Sequence, residues 1–365
     1  MSSLPLLIHT KYLAFEWGKS TVDYFRKYAA KHGLDLFVFH EPEDIDIVQC
    51  QGYVIVSGVD LLWLKHVVTE LEPLKLQIVL LNGELWNYRE NISHIIFDQK
   101  SLLRNSLEVL HRHNRTNTAF FGALKHDTSD AVKENYFADC FQWDDIYSIT
   151  DSIEDCFAQF WRKAAQYDSV ICANDGIAVY FMQRCFANGL SIPEDLYLIG
   201  NGNLWLSSHV TPTISTAAYD RKSMTEVTAQ ICGLTTANTS ISSIDVFMKA
   251  TVIERASTGA FTDSVMMNNE YLYPYNPAEH GILSLDIPPE IHHIQTLSQI
   301  FSSCSSQQLE IYHQLVNGES YQTISDAVYI TVDAVKYHVK KIYKLLDIHS
   351  RKELCTLLDH YRIVL

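Results

Sequence analysis

Residues 170–202, "VICANDGIAVYFMQRCFANGLSIPEDLYLIGNG", carry the clearest fold signal in the sequence. Two short apolar runs, "SVICAN" and "LYLIGNG", lie on either side of a longer segment that ends in "NGLSIPEDL". This order is typical of a parallel strand, a crossover helix and a second parallel strand. The runs end on small or polar residues, among them Asn174 and Gly202. Because ligands of open α/β sheets bind beyond the carboxyl ends of the strands, the pattern predicts a binding site at this edge.

The same alternation runs outward from residue 5 to about residue 260 and predicts an α/β fold with parallel sheets. In "STVDYFRKYAAKHGL", Val22, Phe25, Tyr28 and Ala29 fall at helical spacing, and Gly33 marks the end of that helix. The candidate strands are "LPLLIHT", "DLFVFH", "GYVIVSG", "LQIVLLN", "HIIFD", "TAFFGA", "SVICAN" and "LYLIGNG".

Several markers in this region occur in a specific order. They are "AND" after a strand, "NGLSIPEDL" after a helix, a strand that reaches "IG", then "TPTIST" and finally "ATVIERAST" at 250–258. With these markers the chain resembles the effector-binding core of LacI-type repressors, which has a periplasmic-binding-protein-like fold. The resemblance covers roughly residues 5–259 and places a core domain at 1–259. It implies two α/β subdomains with crossovers near residues 115, 219 and 242, and a small molecule closed between them.

The resemblance also implies effector-binding residues. Asn174 and Asp175 match the binding-site pair of the family, and Tyr219 matches a cleft position. Gly202 stands where the family usually has an aspartate. The family has an arginine that binds the sugar, and no arginine of this chain matches it. Only Lys133 is basic near the expected position. A carbohydrate is therefore one candidate effector among small molecules.

Aromatic residues beside strand ends are further candidates for an effector pocket, since such pockets are largely apolar. The alternative for each of them is ordinary core packing. These residues are Phe15, Trp17, Trp86, Trp143 and Trp205, of which Trp17, Phe15 and Trp86 join the predicted effector site.

The alternation of apolar runs and helical stretches stops at residues 260–303, and this segment predicts a linker with one short helix. Pro274, Pro277 and the pair at 288–289 punctuate it. Adjacent His292 and His293 lack a second cluster at metal-ligand spacing, so we expect a surface pair and no metal. The eight cysteines have no CxxC spacing and are expected to be reduced, mostly buried thiols.

Residues 304–365 predict a small all-α domain of four helices. Ser305 and Gln308 have capping-box spacing, and Gly318 ends the first helix, whose predicted buried face holds Leu309, Tyr312 and Val316. The second helix is "YQTISDAV", and a tight turn at residues 329–330 follows it. The N-cap of the third helix is Thr331, and Ser350 with Glu353 predicts a second capping box, at the start of the fourth helix.

The third helix, "VDAVKYHVKKIYKLL", has two distinct faces. Val335, Val339, Ile342 and Leu346 form an apolar stripe. The opposite face carries Lys336, Tyr337, Lys340, Lys341 and Lys344. The simplest interpretation of the basic face is an ordinary solvated surface. A basic helix after a short helix and a tight turn is, however, typical of a helix-turn-helix recognition helix.

This segment resembles the LuxR-type (GerE-like) DNA-binding domain over about 55 residues. The matching residues are Glu310, Ile311, Gly318, Ile324, Val335, Lys336, His338, Ile342, Leu346 and Arg351. The resemblance implies a structural role for His338 and contacts to the bases or phosphates of double-stranded operator DNA. The residues assigned to DNA are Lys336, Tyr337, Lys340, Lys341, Lys344, Thr331 and Arg351.

The net charge of −15, from 43 acidic and 28 basic residues, argues against DNA binding only when the chain is averaged. Residues 301–365 hold seven basic and seven acidic residues, so the whole excess lies in the first 300. No apolar run is long enough for a membrane span, and no signal peptide is evident, so we expect a cytoplasmic protein.

These features predict a one-component transcription regulator, a homodimer that senses a small molecule in its core. The first alternative is a core that has lost its ligand and serves dimerisation or a protein partner. The second is an enzyme, for which we find no P-loop, GxSxG, HExxH or GxGxxG motif. We therefore expect no catalytic residues, no cofactor and no metal.

Overall fold

The computed structural model describes residues 2–13, 15–58, 60–81, 91–124, 127–238, 240–260 and 287–365. The strands are β1 (Ser3–Ile8), β2 (Asp35–Phe39), β3 (Tyr53–Ser57), β4 (Gln77–Leu81), β5 (Ile92–Phe97), β6 (Thr118–Leu124), β7 (Ile146–Ile149), β8 (Ser169–Cys172), β9 (Tyr197–Asn201), β10 (Ser215–Tyr219), β11 (Asp245–Met248) and β12 (Ala250–Ile253). The helices are α1 (Thr10–Leu13), α2 (Glu16–His32), α3 (Ile47–Cys50), α4 (Leu61–Leu71), α5 (Gln99–Arg112), α6 (Thr128–Cys140), α7 (Ile153–Trp161), α8 (Asp175–Ala187), α9 (Trp205–His209), α10 (Arg221–Ala237), α11 (Pro289–Ser302), α12 (Ser306–Asn317), α13 (Tyr321–Val328), α14 (Val332–Leu346) and α15 (Arg351–Tyr361).

The first compact unit contains residues up to Ser101 together with residues 219–251. Its described strands form a sheet in the order β11-β5-β4-β3-β1-β2, and all of these pairs are parallel. Strands β1 and β3 are buried at every position because both faces of such a sheet are covered by helices. Continuous apolar runs such as "YVIVS" are therefore what this architecture requires.

The second unit contains the remaining described residues, including the helical C-terminal domain. Its sheet has the order β12-β10-β9-β8-β6-β7, and the pairs from β10 through to β7 are parallel. Phe121, Phe157, Phe160 and Phe181 pack with ring centroids 4.8–6.4 Å apart. These rings fix α7 and α8 against β6. The two sheets with their helices confirm the predicted α/β class.

All eight strands predicted from apolar runs form. The predicted first helix also forms and ends at Gly33, which has a φ of 64°. Strands β7, β10, β11 and β12 were not predicted from apolar runs. The burial of β11 alternates between exposed and half-buried positions because it lies at a sheet edge, so it lacks a continuous apolar run.

In the described residues the chain crosses from one sheet to the other three times. The first two follow β5 and β10. The third lies at Lys249, between β11 and β12, and not near residue 242 as expected. The reason is that residues 245–248 still pair with β5 of the first sheet.

The predicted linker contains a helix with a packing role. Residues 261–286, including Pro274 and Pro277, lie outside the described residues. Helix α11 follows Pro288 and buries Ile291, Ile294 and Phe301, while His292 and His293 are exposed. In the described part of the chain, no helix is both long and apolar enough to cross a membrane.

The four predicted C-terminal helices are α12, α13, α14 and α15. Ser305 and Gln308 form the expected capping box, and Gly318 ends α12 with a φ of 105°. The buried face of α12 consists of Ile311, Tyr312 and Leu315. Tyr312 is buried as predicted, whereas Leu309 and Val316 are only half-buried, so those two assignments were wrong.

Two glycines give opposite expectations for stability. A Cβ atom at Gly200 would lie 2.3 Å from Asp175 Oδ1, whereas one at Gly233 would meet nothing within 4 Å. Gly200→Ala should therefore lower the free energy of unfolding by about 1–3 kcal/mol, as overpacking does. Gly233→Ala in α10 should raise it by about 0.5–1 kcal/mol, because alanine favours helices.

Urea unfolding followed by tryptophan fluorescence measures both variants. Equal stability of the two would contradict the packing of β9 against α8.

Candidate functional site

Helices α13 and α14 are joined by a tight turn with defined hydrogen bonds. Tyr329 takes a left-handed conformation with a φ of 58° and ends α13. Ser325 Oγ donates to the carbonyl of Ile330 at 2.6 Å, and the Ile330 N–H donates to the carbonyl of Ser325 at 3.2 Å. Thr331 Oγ1 then accepts from the Ala334 N–H and starts α14. This arrangement is a helix-turn-helix.

Helix α14 separates its two faces as predicted. Val335, Val339 and Ile342 are buried, and Leu346 is half-buried. The opposite side is solvent-exposed and carries Lys336, Tyr337, Lys340, Lys341 and Lys344. We call these five residues the basic face. Lys336 Nζ lies 3.2 Å from Asp333 Oδ1, but both side chains are exposed, so this pair contributes little to stability and leaves the lysine accessible.

Arg351 and His338 have contacts within the domain. Arg351 Nη2 donates to the carbonyl of Val316 at 3.4 Å, at the end of α12. Gln308 Nε2 lies 3.3 Å from His338 Nδ1. Burial, with a smaller effect of Lys341, lowers the pKa of His338, which favours its neutral form. Both residues thus support the domain, and a phosphate contact by Arg351 stays a prediction.

The predicted effector pair lies at the start of α8 in the second unit. Asn174 Oδ1 accepts from the Ile177 N–H at 3.0 Å and caps the helix. Asp175 is fully buried, with Oδ1 accepting from Thr216 Oγ1 and Oδ2 accepting from the Leu204 N–H, both at 2.7 Å. Burial raises the pKa of Asp175, although hydrogen bonds from Thr216 and Leu204 favour its charged form.

The chain around Gly202 needs unusual backbone conformations to reach that carboxylate. Gly202 has a φ of 116° and Asn203 a φ of 53°. Arg255 holds this turn, because its Nη2 donates to Asn203 Oδ1 at 2.6 Å and its Nη1 donates to the Ile214 carbonyl at 2.7 Å. Burial lowers the pKa of Arg255. Arg255 was missed from the sequence because its partners are distant along the chain.

Lys133 occupies the region where the sequence showed no clamp arginine. The side chain is buried, and its Nζ donates to Asp130 Oδ1 at 2.6 Å and to the Ala173 carbonyl at 3.1 Å. The Lys133 and Asp175 side chains thus make hydrogen bonds within the protein. Among described residues nearby, Asn201 at the end of β9 has a buried Nδ2 without a partner.

Three aromatic residues of the first unit lie close together. Phe97 ends β5 and stacks on Tyr219 with ring centroids 4.5 Å apart, and Trp17 meets Phe97 edge-on at 6.4 Å. The Arg221 guanidinium lies 4.5 Å from the Trp17 ring centroid. We call Trp17, Phe97, Tyr219 and Arg221 the aromatic cluster. Within the described residues, the buried Tyr219 hydroxyl has no hydrogen-bond partner.

The other aromatic candidates are placed differently. Phe15 is half-buried just before α2, and Trp86 lies outside the described residues. Trp143 is exposed, and Trp205 is buried within α9, where it stacks on His209 and Phe301. Phe97 could have been found from the sequence, because it is an aromatic residue near the end of the predicted strand "HIIFD". The predicted candidates were chosen by that same criterion.

Comparisons with known proteins match both parts of the chain. Residues 103–258 match the family described as "Periplasmic binding protein-like domain". Residues 302–358 match "Bacterial regulatory proteins, luxR family". A stretch of 48 residues is 40% identical to the Bacillus subtilis protein "Probable HTH-type transcriptional repressor ExuR". That stretch covers 13% of this chain and only 14% of the relative.

Three solved structures show the fold of the core. A transcriptional regulator CelR in complex with cellobiose matches with a TM-score of 0.56 and 12% identity, over 70% of this chain and 84% of that one. The Escherichia coli transcriptional repressor ascG matches with a TM-score of 0.53 and 13% identity, over 70% and 99%. A LacI family regulator from Enterococcus faecalis with bound ribose matches with a TM-score of 0.51 and 14% identity, over 71% and 100%.

The two family matches and the fold agree with the fusion inferred from the sequence. The chain thus joins a periplasmic binding protein-like domain to a C-terminal domain of the luxR family of bacterial regulatory proteins.

Proposed function

We propose that the protein is a ligand-responsive transcription regulator that binds operator DNA through α14. The observation that carries the proposal is the basic face, whose four lysines are all exposed opposite the buried stripe of a helix-turn-helix. Lysine ammonium groups suit guanine O6 and N7 atoms and phosphates in the major groove. The exposed ring of Tyr337, with 64% of its surface accessible, suits a thymine methyl group or the sugar backbone.

We further propose that the protein acts as a homodimer in the cytoplasm, where an operator is accessible. One helix-turn-helix makes few base contacts, and two copies on two half-sites supply the affinity and specificity that one lacks. The excess of negative charge in the first 300 residues would be repelled by the duplex, which leaves the basic face as the surface that can approach it. This function requires no catalysis.

The effector that we propose is a small molecule bound at the strand ends of the α/β core. The aromatic cluster offers an apolar surface beside the buried Tyr219 hydroxyl, and a buried hydroxyl without a partner favours a ligand or water at that point. Asn174, Asp175, Gly202 and Phe15 remain proposed contributors. Relatives in complex with cellobiose and ribose make carbohydrates the first class to test.

A second candidate function has its own support. In the second unit, Asp175 and Lys133 make their hydrogen bonds to protein groups, and Gly202 contributes no side chain. A core of this kind could serve dimerisation or bind a protein partner without any small molecule. The two candidates share the DNA-binding domain and differ only in what the core senses.

The DNA proposal predicts a specific loss on removal of two lysines. The double variant Lys336→Ala and Lys340→Ala should weaken binding to a selected operator by about 1–3 kcal/mol per base-contacting lysine. The slope of log affinity against log salt should fall by about 0.9 for each phosphate contact that is lost. Fluorescence anisotropy at several salt concentrations measures both quantities.

Lys352→Ala is the matched control, because Lys352 is also exposed but lies on α15. Sequence-specific binding that survives in the double variant would rule out α14 as the recognition helix.

The effector proposal predicts stabilisation of the full chain by a ligand. In a thermal-shift screen against sugars, nucleosides and small acids, a ligand at 100 times its dissociation constant should add about 2.7 kcal/mol to stability. Phe97→Leu should weaken this effect, whereas Trp143→Leu, at an exposed aromatic residue of the second unit, should leave it unchanged. A hit that is insensitive to Phe97 would place the ligand elsewhere, and the absence of any hit would favour the second candidate function.

A further inference from the structure

Helix α11 contacts both the α/β part of the second unit and its DNA-binding domain. It packs against α8 and α9 and also against α14. Its buried positions include Ile291, Ile294, Leu297, Ile300 and Phe301, each with at most 1% of its surface exposed. Such burial requires neighbours along the whole length of the helix. Although α11 lies in the predicted linker, it is therefore a packed element of the second unit.

The beginning of α11 lies against the helix that starts at the predicted effector pair. A Cβ atom added at Gly176 would lie 3.4 Å from Gln295 Cγ and 3.5 Å from Ile291 Cγ2. Gly176 directly follows Asp175, so the first turn of α8 is in van der Waals reach of α11. A displacement of that turn would press directly on α11.

The end of α11 rests on α9, and Asp175 positions α9 as well. Asp175 Oδ2 accepts from the N–H of Leu204, the residue before α9. The Leu206 N–H donates to Ser298 Oγ of α11 at 3.2 Å. Trp205 stacks on Phe301 of α11 at 5.5 Å between ring centroids. One buried carboxylate thus fixes the element that carries the end of α11.

The end of α9 and the residues after it contact the C-terminal end of the DNA-binding domain. Val210 and Ile363 form an antiparallel bridge. The Thr211 N–H donates to the Arg362 carbonyl at 3.0 Å, and the Val364 N–H donates to the His209 carbonyl at 2.7 Å. Two further contacts lie close to this bridge. Gln183 Nε2 donates to the His360 carbonyl at 3.1 Å, and the Arg362 guanidinium lies 4.1 Å from the Phe186 ring centroid.

We propose that residues 204–211, which we call the α9 segment, position the DNA-binding domain on the second unit and transmit changes at Asp175 to it. The segment contacts α11 before the domain and the chain terminus after it, so the domain is held at both ends. Trp205 and Ile363 are the positioning residues. A ligand that favours one arrangement of the α9 segment shifts the domain by its difference in affinity for the two arrangements. The consequence for DNA rests on the proposed function, whereas the docking itself does not.

A pair of neighbouring variants tests the docking. Ile363 is 7% exposed and Val364 is 54% exposed, so Ile363→Asp buries a charge at the bridge while Val364→Asp adds the same charge to the surface. In the full chain, hydrogen exchange of the Thr211 amide should be at least tenfold faster in Ile363→Asp and unchanged in Val364→Asp. The Ala334 amide, which is bonded within the DNA-binding domain, should stay protected in both.

Equal protection of the Thr211 amide in the two variants would overturn the docking. Trp205→Leu perturbs the same segment from the α11 side and should accelerate exchange of the Thr211 amide. Loss of Ala334 protection in Ile363→Asp would show that the domain has unfolded, and Trp205→Leu then decides the question.

DNA with two half-sites at varied spacing tests the positioning. The wild-type chain should prefer a narrow range of spacings, because a docked domain has a fixed orientation in the dimer. Ile363→Asp should bind a single half-site within twofold of wild type but lose at least fivefold of the preference between spacings. An unchanged spacing profile would overturn the positioning role. If wild type binds no DNA, the proposed function fails, while the exchange experiment still decides the docking.

Discussion

The hydrogen bonds of the buried Asp175 carboxylate are the constraint on which the second unit depends. A carboxylate removed from water is costly unless hydrogen-bond donors surround it. Thr216 of β10 and the Leu204 N–H before α9 supply two of those donors, so three elements must meet at one point. Gly200 must lack a side chain there, and Gly202 must adopt a positive φ to bring the chain round. The position of α9, and therefore the surface on which α11 packs, follows from the need to surround the Asp175 carboxylate with donors.

The DNA-binding domain depends on local interactions, which is why its sequence was so informative. Ser305, Gln308 and Thr331 act on backbone groups three residues away, and the stripe of α14 is set by helical periodicity. Both signals lie within a short window of sequence. The buried parallel strands are informative for a related reason, since a strand covered on both faces must be apolar throughout.

Apart from the buried face of α12, the main arrangements that the sequence did not predict involve partners far apart in the chain. Edge strand β11 has no apolar run of its own and is fixed by its pairing with β5. The contacts of Lys133 with Ala173 and of Arg255 with Asn203 join residues 40 or more positions apart. Periodicity and spacing carry no information on such pairs. The resemblance assigned Asp175 to the effector, and the sequence did not show that Thr216 and Leu204, distant in the chain, also bind its carboxylate.

The excess negative charge lies in the first 300 residues, whereas the basic face lies in the C-terminal domain. The neutral C-terminal domain with its basic face is held on the α/β part of the second unit by α11 and by the bridge at Ile363. The most direct measurement of this account is hydrogen exchange of the Leu204 and Thr211 amides in Asp175→Asn, together with operator affinity. We predict faster exchange at both amides and altered affinity, with the Ala334 amide still protected. Unchanged protection of Leu204 and Thr211 with unchanged affinity would contradict the account.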